Sequence, residues 1–286
     1  MQERLCRDHT LTTTTRVAAE SLLQSNRLSV LAVVAIDDSF IVVDKPSGLL
    51  SVPGRGPDKQ DCLSARVQRE FPDALIVHRL DMETSGLMVL GRGIEAQRAL
   101  GRAFEQRRVG KRYEAVVDGL LADDSGTVDL PLICDWPNRP RQMVSHELGK
   151  PSTTHYQVIS RDEQTARTRV SLTPVTGRSH QLRVHMAALG HPIIGDSLYA
   201  ATPPAPGERL LLHAAELSFP HPRTGEAVTV RSASSRIDFA RPSGRHAPGQ
   251  PTPVRAEPRP TNRAQRPEPV QVTVPESDAG PITSSG

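Results

Sequence analysis

Two β-rich apolar runs, Leu31–Ile36 and Phe40–Asp44, are separated only by Asp37-Asp38-Ser39. Three polar residues cannot hold a crossover helix, so the two runs are predicted to pair antiparallel as a hairpin. Further strands are predicted over Leu87–Leu90, Arg112–Val117, His155–Ile159, Arg167–Leu172, Leu210–Leu212 and Ala227–Val230, with few helices between them. Cys62–Phe71 reads as a short helix. Glu95–Arg108 is a second, with Ala96, Ala99, Leu100 and Ala103 at i, i+3, i+4, i+7 spacing and Glu95, Arg98, Arg102 and Glu105 facing away. Ser179–Leu189 is a third, closed by Gly190. Strands outnumber helices and often follow one another directly. The expected class is α+β with a largely antiparallel sheet.

Composition divides the chain of 286 residues into unequal parts. From Arg241 onward there are ten prolines, no aromatic residue, and only four valines and one isoleucine as large apolar groups. Such a segment buries too little surface to offset its ordering entropy, so a disordered tail is expected over 235–286. Residues 1–29 are polar and threonine-rich and read as an N-terminal extension, leaving 30–234 as the folded domain. From Arg241 onward six arginines stand against four acids, so most of the net charge of +3 sits there. The rest is close to balance, and bulk charge does not announce a nucleic-acid partner; only a local patch could. Arginines outnumber lysines 31 to 4 over the whole chain, which carries no substrate information. Three scattered cysteines (Cys6, Cys62, Cys134) with no CxxC argue for reduced thiols in a cytoplasmic setting. The longest apolar run is too short to span a membrane and lies too far in, before two aspartates, for a signal peptide.

Leu87 to Ala96 spells strand, Gly91-Arg92-Gly93-Ile94-Glu95-Ala96, helix, with Asp118 closing the next strand. That matches a dinucleotide-binding fingerprint and makes a nucleotide-dependent oxidoreductase the rival reading. Against it, no second strand–helix–strand unit follows, and Glu95 at the helix start would repel phosphate. A glycine-assisted turn into a helix is the expectation. His180 and His185 are five apart, not the four that puts two ligands on one helix face, and no metal site is predicted.

The informative stretch is Val77-His78-Arg79-Leu80-Asp81-Met82-Glu83-Thr84-Ser85-Gly86-Leu87. Residue chemistry alone offers two readings of Asp81. One is an Asx-turn, its carboxylate accepting from the N–H groups near Thr84 and Ser85. The other is a carboxylate kept ionised by an arginine and poised as a nucleophile.

His78–Leu87 resembles the HRLDxxTSGL signature of the RluA-type RNA pseudouridine synthases. The resemblance continues in order through Lys45-Pro46-Ser47-Gly48-Leu49, Lys111–Val116, Gly177–His185, His191–Asp196 and Leu211–Ala214, covering about residues 30–232. Leu49–Arg55 and Asp129–Pro140 are similar to a dual-specificity subgroup that modifies a 23S rRNA hairpin uridine and uridine 32 of certain tRNAs. Residues 1–29 are too few for the S4 RNA-binding domain of several relatives. The resemblance implies the pseudouridine synthase fold, a bent, mixed and mostly antiparallel sheet flanked by helices around a central catalytic cleft. It implies Asp81 as the catalytic aspartate, Arg183 as the arginine paired with it, and Tyr113 as the tyrosine that stacks on the uracil and is the candidate to take the C5 proton. Arg79 would fill the place of the flipped base, and His78 would lie beside the RNA. No cofactor is implied, because the reaction moves one bond with no redox change, and RNA is the expected partner of a cytoplasmic monomer. A non-catalytic RNA-binding module that kept the fold is a third reading, against which stands the intact set of Asp81, Tyr113 and Arg183. The loop Asp135–Gln142 carries Trp136, Arg139 and Arg141, planar groups suited to RNA bases. Trp136 reads equally well as a buried anchor beneath a proline turn.

Overall fold

The computed structural model describes residues 32–232. The predicted extension and the proline-rich tail lie outside the described residues.

The predicted hairpin forms β1 (Ala32–Ile36) and β2 (Phe40–Lys45), paired antiparallel. Asp37 shapes the turn, its carboxylate accepting from the Ser39 N–H at 2.8 Å. β2 is apolar at consecutive positions because both of its faces are covered. Ile41 and Val43 pack with Leu63 and Val67 of α1 (Leu63–Glu70), whereas Phe40 and Val42 pack with Leu100 and Ala103 of α2 (Gly93–Glu105). The same double cover explains β4 (Ser85–Arg92), buried along nearly its whole length, with the short β3 (Ala74–Ile76) on its flank.

The chain continues through β5 (Gly110–Asp118), β6 (Ser125–Asp129), β7 (Leu132–Cys134), β8 (Gln142–Val144), β9 (Thr153–Asp162), β10 (Arg167–Pro174), α3 (Gln181–Ala188), β11 (Leu212–Pro220) and β12 (Ala227–Arg231). The main sheet runs β1-β2-β4-β11-β5-β10-β9-β6, and β7 and β8 form a separate two-stranded hairpin. Among the described strands only β4 and β11 pair parallel. A second core lies where α3 covers β5 and β10, with Leu182 and Met186 against Val117, Val170 and Leu172. Among the described residues no helix is long and apolar enough to cross a membrane.

This order disposes of the dinucleotide reading. β4, α2 and β5 are consecutive, yet β11 lies between the two strands, parallel to β4 and antiparallel to β5. The strands joined by α2 are therefore not a parallel crossover pair. Gly91 is small because a Cβ there would sit 2.6 Å from the Gln97 backbone nitrogen of α2. One strand boundary and four short strands also differ from expectation. β11 begins where the predicted Leu210–Leu212 strand ends, its body being Ala- and Ser-bearing rather than β-branched. β3, β6, β7 and β8 carry no strand signal in the sequence, being short or polar.

The parallel join is where sequence and topology meet. Ser85 and Gly86 pair with His213 and Ala214, and the Ser85 hydroxyl meets His213 Nδ1 at 2.9 Å. Gly86 has φ +115°, and a Cβ on it would lie 2.4 Å from the Ala214 carbonyl oxygen. Gly86→Ala is therefore expected to destabilise the protein by about 3 kcal/mol, lowering Tm by roughly 5–10 °C. An unchanged melting curve would mean the join is looser than described.

Candidate active site

Asp81 lies in the loop between β3 and β4, and the Lys45–Ser51 segment clamps that loop on both sides. The ammonium of the fully buried Lys45 donates to the carbonyls of Pro46, Leu49 and Met82 at 2.9, 2.7 and 2.9 Å. Ser47 Oγ donates to the Glu83 carbonyl, and Ser51 Oγ to the Leu80 carbonyl, each at 2.7 Å. Burial lowers the Lys45 pKa to about 8, against the opposing pull of Glu83 and Asp81. Three carbonyls and two acids thus hold a cation beneath the loop.

The Asx-turn does not form. The turn is closed by the Asp81 main-chain carbonyl, which accepts from the Thr84 N–H at 3.2 Å. The carboxylate is left to face a cleft of about 680 Å³ that Arg79, Tyr113, Lys111, Arg178, His180 and Arg183 help to line. Its nearest basic neighbours are Arg183 Nη1, 3.9 Å from Oδ2, and His180 Nε2, 3.9 Å from Oδ1.

Arg183 is the expected partner of Asp81, but its closer bonds go elsewhere. Its Nε and Nη2 donate to the two Asp196 oxygens, each at 2.7 Å, with both side chains buried. Asp196 also accepts from the Leu198 and Tyr199 N–H groups at 2.9 and 3.1 Å. Only Nη1 is turned toward Asp81. Burial would lower the guanidinium pKa, but the Asp196 hydrogen bond, then the charges of Asp196 and Asp81, hold it above its ordinary value. The cation is fixed in place before any substrate arrives.

Tyr113 stands on β5, packed between the two cores, where burial and the Asp81 charge push its phenol well above the ordinary range. It keeps its proton at neutral pH. Arg79 is exposed at the cleft wall. His78 beside it is engaged internally. Its ring stacks on Phe104 with centroids 4.6 Å apart, and Nε2 accepts from the Val89 N–H at 3.1 Å. Burial, assisted by the Lys111 charge, lowers its pKa to about 3.

The loop between β7 and β8 contains a single 3₁₀ turn, Trp136–Asn138. Trp136 is 66% exposed, so it is not a buried anchor. The Arg139 guanidinium stacks over its ring at 4.3 Å, while Arg141 lies 5.6 Å from the Tyr199 ring. Asn138 ties the turn to both carboxylate oxygens of Asp135 at 3.1 and 3.0 Å. The structure thus brings Asp81, Tyr113, Arg183 and Arg79 to one cleft, with Arg141 linked to it through Tyr199.

Residues 39–188 match the family model described as RNA pseudouridylate synthase. The chain belongs to that family, in its RluA branch. This member of the synthase family is 56% identical over 190 residues to the dual-specificity RNA pseudouridine synthase RluA of Yersinia pestis, covering 66% of this chain and 92% of that one. It is 52% identical over 204 residues to the protein of the same name from Escherichia coli K12, covering 71% and 92%. Among solved structures, human RNA pseudouridylate synthase domain containing 1 superposes with a TM-score of 0.60 at 30% identity, covering 71% of this chain and 82% of its own. Human RNA pseudouridylate synthase domain containing 4, at 24% identity and TM-score 0.58 over 78% and 93%, shares the fold. The chain is an RNA pseudouridine synthase, an isomerase that turns uridine into pseudouridine.

His180, Asp196, Tyr199 and Lys45 are not assigned to the site by sequence reasoning. Three of them stand inside the ordered blocks, so the signal is present without a role attached. Tyr199, three residues beyond the last residue of its block, carries none. The depressed His78 pKa has a measurable consequence. The unfolded imidazole takes up a proton near pH 6.5 and the folded one only near 3, so stability falls as pH drops through that window. His78→Gln, which keeps an acceptor for Val89 but does not titrate, should give a shallower fall in Tm between about pH 6.5 and 4.5. The residual slope belongs to His180, His185 and His213, whose pKa values burial also lowers. An identical slope would remove His78 from the acid sensitivity.

Proposed function

We propose that the chain acts on a 23S rRNA hairpin uridine, on position 32 of a tRNA anticodon stem-loop, or on both, with Asp81 as the nucleophile. The observation that carries this reading is the Asp81 carboxylate itself, free of backbone hydrogen bonds and held 3.9 Å from the Arg183 guanidinium in the cleft. The uridine is flipped from its stem-loop into the cleft, at a cost of a few kcal/mol. Asp81 attacks the sugar or the base, or assists glycal formation, as the C1′–N1 bond breaks. The uracil turns and rejoins through C5, and the C5 proton leaves. N1 takes up a proton in place of the one lost from C5, any bond made to Asp81 is broken again and no electrons are exchanged, so the chemistry calls for no cofactor and no metal.

Tyr113 stacks on the flipped uracil. With its phenol pushed far up it enters as a neutral O–H, so it can accept the C5 proton only by handing its own onward. Arg79 enters the space the base vacates. His78 acts from behind, holding β4 and Phe104 in place. The catalytic domain is taken as 30–234, with 1–29 and 235–286 as appendages, and the enzyme as a cytoplasmic monomer. The resemblance of Leu49–Arg55 and Asp129–Pro140 to the dual-specificity subgroup suggests the pairing of rRNA and tRNA, the related proteins are themselves named for dual specificity, and the exposed Trp136–Arg139 stack supplies a surface that a loop base can meet.

Asp81→Asn keeps the shape and removes charge and nucleophilicity. Single-turnover conversion should fall by roughly a thousandfold or more while the fold and most RNA affinity persist, since affinity comes largely from phosphate contacts. A variant converting RNA at near the wild-type rate would take the nucleophile's role from Asp81. Arg139→Ala with Arg141→Ala tests the loop. An anticodon stem-loop should bind about tenfold more weakly, with a salt slope reduced by about one to two units and Tm little changed. Unaltered affinity together with a lower Tm would make the loop structural.

A further inference from the structure

We infer that Tyr199 is a positioning residue acting through His180: it fixes the imidazole as the Nε2–H tautomer, aims that N–H at Asp81, and thereby ties the Trp136–Arg141 loop to the nucleophile. The inference rests on the reading of Asp81 as the nucleophile. It begins from three contacts on one oxygen. Tyr199 Oη accepts from the Gln142 N–H at 2.8 Å and lies 2.7 Å from His180 Nδ1. The opposite ring nitrogen, His180 Nε2, is 3.9 Å from Asp81 Oδ1. Gln142 opens β8, directly after Arg141, so the oxygen bridges the loop to the cleft.

Proton accounting decides the tautomer. A phenol has one proton to give, and Gln142 already uses an acceptor site on this oxygen. If Nδ1 carried the imidazole proton, Oη would accept twice and its own O–H would have no acceptor among the described residues. The bare Nε2 lone pair would then face the Asp81 carboxylate, which is repulsive. If Tyr199 donates to Nδ1 instead, every group is satisfied and Nε2–H presents a donor to the anion. Both groups stay in the required forms at neutral pH. Burial pushes the Tyr199 phenol to about 12. Burial also lowers the His180 pKa; Arg183 and Arg79 pull in the same direction, and Asp81 and Asp196 oppose it.

Two further features fit a ring set in place for a purpose. His180 precedes α3 with φ +53°, a left-handed backbone uncommon outside glycine that fixes the direction in which its ring leaves the chain. The Tyr199 ring is held edge-on to His180, with centroids 5.7 Å apart, and under the Arg183 guanidinium at 5.2 Å. Asp81 thus lies between two donors, Arg183 on one oxygen and His180 on the other. The 3.9 Å separations are of a kind that tightens when substrate closes the site. RNA seated on the loop would press through Gln142 and Tyr199 on the second donor.

The ring nitrogens of His180 can be read directly by ¹⁵N NMR of the full chain, with His180→Gln assigning the signals. The wild type should show an unprotonated Nδ1 and a protonated Nε2. Tyr199→Phe should shift the ring toward the other tautomer. In single-turnover assays with a tRNA or rRNA transcript that the wild type modifies, Tyr199→Phe should slow conversion about tenfold with RNA affinity unchanged. Glutamine can place an amide N–H where Nε2–H stood, so His180→Gln should keep much of the rate, and adding Tyr199→Phe to it should cost nothing further. A protonated Nδ1 in the wild type overturns the inference. So does a Tyr199→Phe penalty that persists in the His180→Gln background, which would assign Tyr199 to the loop alone. Were Tyr199→Phe not to fold, the wild-type ring spectrum and the His180→Gln rate still decide. Failure of the underlying reading looks different: Asp81→Asn would retain its rate, whatever tautomer the spectrum shows.

Discussion

The buried Arg183–Asp196 pair is the constraint on which the site depends. Two charges taken out of water cost several kcal/mol apiece, and only close geometry with further hydrogen bonds offsets that. Here the geometry is a two-pronged fork at 2.7 Å, and the Leu198 and Tyr199 N–H groups add to the carboxylate. The consequence is rigidity: with two of its nitrogens committed, the guanidinium has one left to direct at Asp81. An arginine with no second carboxylate could collapse onto Asp81 and close its carboxylate in a salt bridge of its own. Asp196 prevents that by being the better partner, and the Asp81 carboxylate is left uncovered.

The sheet order delivers this pair to the right place. Asp81 comes from the loop before β4 and Arg183 from α3, elements far apart in sequence. They face one another because β11 returns to lie between β4 and β5, joining the half of the sheet built on β1–β4 to the half built on β5–β10. At that seam Gly86 admits the Ala214 backbone, and Ser85 reaches His213. The residues following Asp81 are therefore spent on the seam, not on chemistry. The segment Lys45–Ser51 serves the same end from the other side, fixing the loop through carbonyls so that the carboxylate need not be used as a turn former.

Much of this is legible in the sequence, for identifiable reasons. Helix α2 announces itself by a clean apolar period, and the β1–β2 hairpin by a linker too short for any alternative. Both concern local structure, where neighbours in sequence are neighbours in space. The ordered blocks bring out Asp81, Tyr113 and Arg183 together. What stays hidden is long-range. The same glycine spacing that resembles a nucleotide fingerprint is set by close packing of α2 on Gly91, and nothing local separates the two. His78 looks outward from sequence, yet its nitrogen is taken by the Val89 N–H and its face by Phe104. Trp136 runs the other way: a lone tryptophan between polar and proline residues reads as well inside as out, and only the tertiary fold exposes it. Tyr199 is invisible because its partners, Gln142, His180 and Arg183, are brought to it only by the tertiary fold.

The charge balance of the domain gains its meaning from these arrangements. Near-neutral bulk charge gives RNA little general attraction, so binding has to come from cations gathered locally. The cleft gathers them, with Arg79, Lys111, Arg178 and Arg183 on its lining. Burial has already lowered the Lys111 pKa, and a polyanion seated there would favour its charged form. The arginines need no such help, keeping their charge at any working pH. A cleft whose cations are mainly arginine, with the Asp81 carboxylate held between fixed donors, can accept phosphates at the rim without covering the carboxylate at its centre.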